Sequence, residues 1–252
     1  MVSLLTRNRI TASASIVAVA GPGGVTRLPV LASQVPLVLR RTPDAVYVIG
    51  GAAGPIGGDE LSLRISVGAG AFLRVRTAAA SIALPGPDGL ESVLRIAVSA
   101  GPGARLEYLP EPVVVTAGAR HATIVSASLD QGASLLLRDE LLLGRHGEDG
   151  GAARTVLRVD YARRPLLRQS LEVSGTDPAS LGPAVLSGHR AVGTLLRVND
   201  GAAEPPPESY PTTTEVAALP LAGPGVLVTA VAHDAVTLRR RLTLGSHCDD
   251  CV

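Results

Sequence analysis

Residues Glu60-Leu61-Ser62-Leu63-Arg64-Ile65-Ser66-Val67, followed at once by Gly68-Ala69-Gly70-Ala71, decide the fold class. Leu61, Leu63, Ile65 and Val67 alternate with Ser62, Arg64 and Ser66, which puts the aliphatic set on one face of a strand and the polar set on the other. The glycines then supply a turn that needs positive φ. Working outward, the alternation returns at Leu94, Ile96 and Val98 and at Leu157, Val159 and Tyr161. Gly101-Pro102-Gly103-Ala104 and Gln131-Gly132-Ala133 repeat the turn, and the alanines recur at intervals of about 30 residues, inside the 20–50-residue period of solenoids. Strands stacked layer on layer, as in a β-solenoid or an elongated sandwich, bury each layer's apolar face against its neighbour. Hairpins in an ordinary sandwich are the alternative. The fold class is mainly β and layered, with one or two short helices in the C-terminal third.

The ends of the chain read differently. Ile10, Ala12 and Ala14, then Val17 and Val19, fit a first strand better than a signal peptide, although Arg7 and Arg9 precede them. Asp177-Pro178 starts a helix that Gly182-Pro183 stops within two turns. Residues 200–211, with Pro205-Pro206-Pro207, read as a linker or loop. Thr213 or Thr214 caps a short helix reaching Leu219, and residues 226–231 and 235–244 return to strand-like composition. Residues 1–244 thus form one β-rich scaffold domain, and residues 245–252 a flexible tail.

Composition removes several function classes. The 252 residues carry 23 basic and 22 acidic side chains, with four tyrosines, one phenylalanine and no tryptophan. A net charge of +1 with so few rings to stack on bases argues against nucleic acid. No window approaches the ~20 apolar residues of a membrane-spanning helix. Every basic residue is arginine, which removes Schiff-base chemistry and any P-loop ending in Gly-Lys-Ser/Thr. Nucleotide hydrolysis, if needed, falls to a partner. Two cysteines near the C-terminus cannot form a fold-wide disulfide framework, and a reducing cytoplasm is the default compartment.

Candidate chemistry is sparse. There is no Gly-x-Ser-x-Gly elbow, and histidines 121, 146, 189, 233 and 247 stand at no recognisable triad spacing. Residues 50–58 are glycine-rich but lack dinucleotide-loop spacing and read as a turn between strands. His247, Cys248 and Cys251 form the one metal-like cluster; thiolates with imidazole suit zinc or nickel, and a homodimer would complete four ligands. An idle tail is the alternative. Asp59, Glu60, Glu107 and Asp139 stand amid apolar strands, where carboxylates are expensive unless paired, hydrated or liganded. For Asp139 two accounts compete. One, the favoured account, is an ion pair with Arg138 or Arg145; the other is an acidic, water-filled passage holding a divalent cation briefly.

Ordered motifs give a family resemblance. Val46-Tyr47-Val48-Ile49-Gly50-Gly51 leading to Gly57-Gly58-Asp59-Glu60-Leu61, then Leu106-Glu107-Tyr108-Leu109-Pro110, Asp139 through Leu143-Gly144-Arg145, Pro165-Leu166-Leu167 and Val192-Gly193-Thr194-Leu195-Leu196 resemble, in that order, segments of the urease accessory protein family UreD, also called UreH. The resemblance covers about residues 33–241, most of the chain. Departures are Glu111-Pro112, Arg138 in place of a tryptophan, Gln169 in place of a glutamate, and no evident closing helix. The resemblance implies a non-enzymatic, β-solenoid-like scaffold that binds the accessory protein UreF, which recruits the GTPase UreG, and docks on apo-urease to deliver nickel(II). It implies no tightly bound cofactor. It also implies an internal nickel route lined by acids, which here match Asp59, Glu60 and Asp139, with Glu107 a weaker match. A structural interaction module without a metal role is the alternative, and a metal-dependent enzyme using the tail ranks last.

Overall fold

The computed structural model describes residues 9–198 and 213–244. The linker and tail readings, including His247, Cys248 and Cys251, lie outside the described residues. The chain opens with β1 (Thr11–Ala20), β2 (Thr26–Ala32), β3 (Leu37–Arg41) and β4 (Val46–Gly50). Three coils follow. The first runs through β5 (Glu60–Val67), β6 (Phe72–Thr77) and β7 (Ser81–Ala83), and the second through β8 (Ser92–Ala100), β9 (Arg105–Leu109) and β10 (Val113–Val115). The third comprises β11 (Arg120–Leu129) and β12 (Ser134–Leu143) and leads into the hairpin of β13 (Ala152–Tyr161) and β14 (Arg164–Ser174). Helix α1 (Pro178–Leu181), β15 (Ala191–Val198), β16 (Val216–Pro220), β17 (Gly225–Ala232) and helix α2 (Ala235–Leu244) complete it.

Each coil places its first strand in one sheet and its second in the other. The seven-stranded sheet runs β14-β13-β11-β8-β5-β1-β2, and the larger sheet β16-β17-β15-β12-β9-β6-β4-β3. Strands of successive coils pair in parallel, with Leu63 beside Ile96 and Val125 beside Leu157. The repeated turns superpose in bonding as well as in sequence. Ala71 N donates to Gly68 O, Ala104 N to Gly101 O and Ala133 N to Asp130 O. All three alanines are buried, and Gly70, Gly103 and Gly132 take positive φ. The stacked coil is therefore the correct member of the pair of folds that the turns allowed.

Three apolar clusters hold these layers together. One fills the space between the sheets at the turn end, from Ile16, Leu63 and Ile65 across to Leu106 and Leu135. A second fills the same space at the opposite end, with Leu141, Leu143, Val192 and Leu186. The third lies on the outer face of the larger sheet, where Leu238 and Leu242 of α2 cover Leu109, Leu195 and Val228.

Three local expectations are corrected and one holds. Ala235–Leu244 is helix, not strand: Asp234 caps it by accepting from Thr237 N at 2.8 Å, and Leu238 and Leu242 fall on one face. The described residues thus end in a helix where the sequence had offered none. Residues 213–219 form no helix. Thr213 Oγ1 accepts from Glu215 N and Val216 N as a cap does, but Val216–Pro220 then pairs with β17. In β1 the buried face is Ala12, Ala14, Ile16 and Ala18, and Val17 and Val19 face outward. The α1 reading holds, with Asp177 accepting from Ala179 N and Ser180 N.

Candidate functional site

Between the two inner clusters the interior turns polar. Along β12, Leu135 and Leu137 belong to the turn-end cluster and Leu141 and Leu143 to the other, so Asp139 projects from the same face between them. Thr194 of β15 pairs directly opposite Asp139, flanked in the same way by Leu196 and Val192. Tyr108 of β9, the register partner of Leu137, adds a phenol beside them. The facing sheet carries a matching polar row. Ser92, His121 and Thr123 are buried at the ends of the apolar faces of β8 and β11, and Asp59 occupies the same row at the start of β5.

The charges in this section are unusual for an interior. Asp139 has no hydrogen-bond or ion-pair partner among the described residues, and burial, reinforced by the Glu140 charge, pushes its carboxyl up to about 6. The favoured ion-pair account fails for a geometric reason. Arg138 is adjacent in the strand and therefore faces the opposite side, toward Glu140 at 3.3 Å, while Arg145 pairs with Glu148 at 2.8 Å. Burial, then the Asp139 charge, keeps the Tyr108 phenol protonated far above its ordinary range. His121 is held neutral because burial lowers its pKa to about 4, against the smaller pull of Glu91. Its Nδ1 lies 2.9 Å from Ser92 Oγ and its Nε2 a looser 3.3 Å from Thr123 Oγ1, so hydroxyls satisfy either tautomer.

The remaining acids do other work. Asp59 is 3% exposed and accepts from Ile10 N and Ile56 N, each at 2.9 Å, tying the first strand to the glycine turn. Glu60 is exposed on the outer face of β5. Glu107 points outward from β9; burial opposes its charge, but bonds from Arg74 at 2.6 Å and Arg105 at 2.7 Å win and hold its carboxyl below the usual range. Asp59 therefore lies in the polar row of the smaller sheet and Asp139 projects inward from the larger one, while Glu60 and Glu107 face outward.

A cavity of about 440 Å³ opens beside the glycine turn and reaches inward past Leu61 and Leu94 to His121. The turn is backbone packed on backbone: a Cβ on Gly57 would lie 2.5 Å from Gly86 N. Sequence reasoning passed over His121. Its one signal is position, two residues before Thr123 on the face that continues as Val125, Ala127 and Leu129. Among the described residues no three His, Cys, Asp or Glu side chains gather around one point.

Fold and section together define a layered β-solenoid protein whose core is interrupted by a polar layer. The chain belongs to the UreD urease accessory protein family, whose model matches residues 11–246. A urease accessory protein UreD of Parafrankia sp. (strain EAN1pec) is 42% identical, covering 94% of this chain and 88% of that protein. Urease accessory protein UreD 3 of Streptomyces griseus is 46% identical over 86% of this chain and 88% of its own. UreD of Streptomyces coelicolor is 41% identical, with 92% and 94% covered.

Proposed function

We propose that this protein acts in urease maturation as a non-enzymatic scaffold, bridging apo-urease to UreF-like and UreG-like partners in the cytoplasm and letting nickel(II) pass along its polar section. Asp139 carries the reading. A carboxylate set between two aliphatic clusters without a cationic partner among the described residues lowers stability at neutral pH, and a costly group of this kind is a signature of function. His121 supports it as a neutral imidazole at the inner end of the cavity, with one ring nitrogen bonded loosely enough to be released. Asp59 shapes the approach by fixing the turn, and the family match supplies the urease context.

The test is co-expression with the urease subunits and the other accessory proteins. Asp139→Ala and His121→Ala are each expected to lower the nickel content of purified urease at least about tenfold, while the variant still co-purifies with its partners. Full nickel loading by both variants would sink the passage, and failure of the wild-type chain to associate would sink the scaffold.

A further inference from the structure

Two histidines that neither the core nor the polar section uses meet at one end of the larger sheet. His189 precedes β15 and His233 follows β17, and the pairing of Ala191 with Ala232 brings those strand ends side by side. Their rings lie 4.3 Å apart between centroids, with planes inclined by 30°. His189 Nδ1 is 2.9 Å from Leu186 O. A carbonyl only accepts, so Nδ1 carries the proton and Nε2 keeps its lone pair. A backbone carbonyl on the far nitrogen is the arrangement that orients metal-bound imidazoles. The neighbouring strand brings a carboxylate to the same edge, because Val231 N donates to Glu215 O at 2.9 Å. The Thr214 hydroxyl first, then the Thr213 hydroxyl and the Arg241 charge, outweigh desolvation and hold the Glu215 carboxyl below its ordinary range.

We propose that His189, 8% exposed, and the exposed His233 form a two-imidazole site at the rim of the larger sheet for a divalent transition-metal ion, with Glu215 lending negative potential and water filling the remaining positions. Two cis imidazoles with metal–nitrogen bonds near 2.1 Å, and centroids about 1.1 Å behind each nitrogen, put the centroids about 4.5 Å apart. The observed centroid spacing of 4.3 Å is compatible with that value. Imidazole donors select ions such as Ni²⁺ and Zn²⁺ over Mg²⁺ and Ca²⁺. Two protein ligands, with Arg241 close by, make a weak and exchanging site rather than a permanent one. The choice of Ni²⁺ as probe rests on the nickel reading above; the geometry does not.

Calorimetric titration with NiCl₂ tests the site, using the full-length chain carrying His247→Ala, Cys248→Ala and Cys251→Ala so that the tail contributes no imidazole or thiolate. Saturable Ni²⁺ binding that excess Mg²⁺ does not displace is expected. His233→Ala removes an exposed ring, so it should leave the thermal melt unchanged and weaken binding about tenfold or more. An affinity unchanged in both His233→Ala and His189→Ala, or no Ni²⁺ binding by the tail-substituted chain, overturns the site. Urease activation is not the readout, so that outcome leaves the maturation role standing.

Discussion

Asp139 and His121 contribute opposite pH slopes to the stability of the fold. Folded, Asp139 keeps its proton up to about pH 6, whereas an unfolded aspartate loses it near 3.9. In that window the native state binds more protons, so this group's contribution to stability falls as pH rises. His121 stays neutral in the fold down to about pH 4, whereas an unfolded histidine protonates near 6.5. There the unfolded state binds more protons, and the contribution falls as pH drops. Each slope reaches at most about 1.4 kcal/mol per pH unit, so the two offset one another between about pH 4 and 6. Urea melts of Asp139→Asn should therefore show stability lost on acidification through that window, where the parent changes little from these groups. Near pH 7.5 the variant should be the more stable by about 2–3 kcal/mol. Such a gain, accompanied by poorer nickel delivery, separates function from folding at one carboxylate. Sequence showed that Asp139 was a carboxylate in an aliphatic run. Period-two alternation already sets Arg138 and Glu140 on the face opposite Asp139; what it could not show is that Glu111 and Arg239 join them there from outside β12.

That convergence belongs to the scale of the element. Helix α2 touches the larger sheet through only two fully buried leucines, and Gly193 leaves the room they need: a Cβ there would meet Leu238 and Leu242 at 3.2 Å. Arginines supply the rest, Arg241 Nη1 donating to the Val231 carbonyl and Arg239 forming ion pairs. Arg239 reaches Glu140 at 2.6 Å and Glu111 at 3.0 Å, and Arg138 Nη2 donates to Pro110 O at 3.1 Å. Glu140 is 2% exposed, and its removal leaves Arg138 buried without its nearest counter-charge. Glu140→Ala should destabilise the protein by about 3–5 kcal/mol in denaturant melts. Glu111→Ala, at the more exposed end of the network, should cost far less; equal losses would show that the network does not act through buried charge. The helix itself was hidden because Val236, Thr237 and Thr243 are β-branched, and only packing of Leu238 and Leu242 overrides that preference. The strands were legible because period-two alternation survives any choice of partner, and the repeated turns were legible because φ > 0 restricts residue type.

At the scale of the whole molecule, each coil touches only its neighbours, so stability is distributed along the stack as in other solenoids. The inner strands β5, β8 and β11 have parallel partners on both sides, while β2, β14, β3 and β16 close the sheets. These edges are blunted: Pro29, Pro165 and Pro220 withhold a donor from three of them, and β3 ends in Arg40-Arg41. The proposed scaffold role needs such edges, because a flat unpaired strand would recruit copies of itself in place of other proteins. Amide hydrogen exchange should accordingly be slowest in β8 and β11 and quicken toward β2, β3 and β16, the edges opening well below the global unfolding free energy. On addition of a UreF-like partner and apo-urease, new protection should appear in the fast-exchanging strands or on the outer face of the smaller sheet and leave β8 and β11 unchanged. Exchange that slows uniformly along the whole stack would instead mean that the free chain is loosely folded and orders only on assembly.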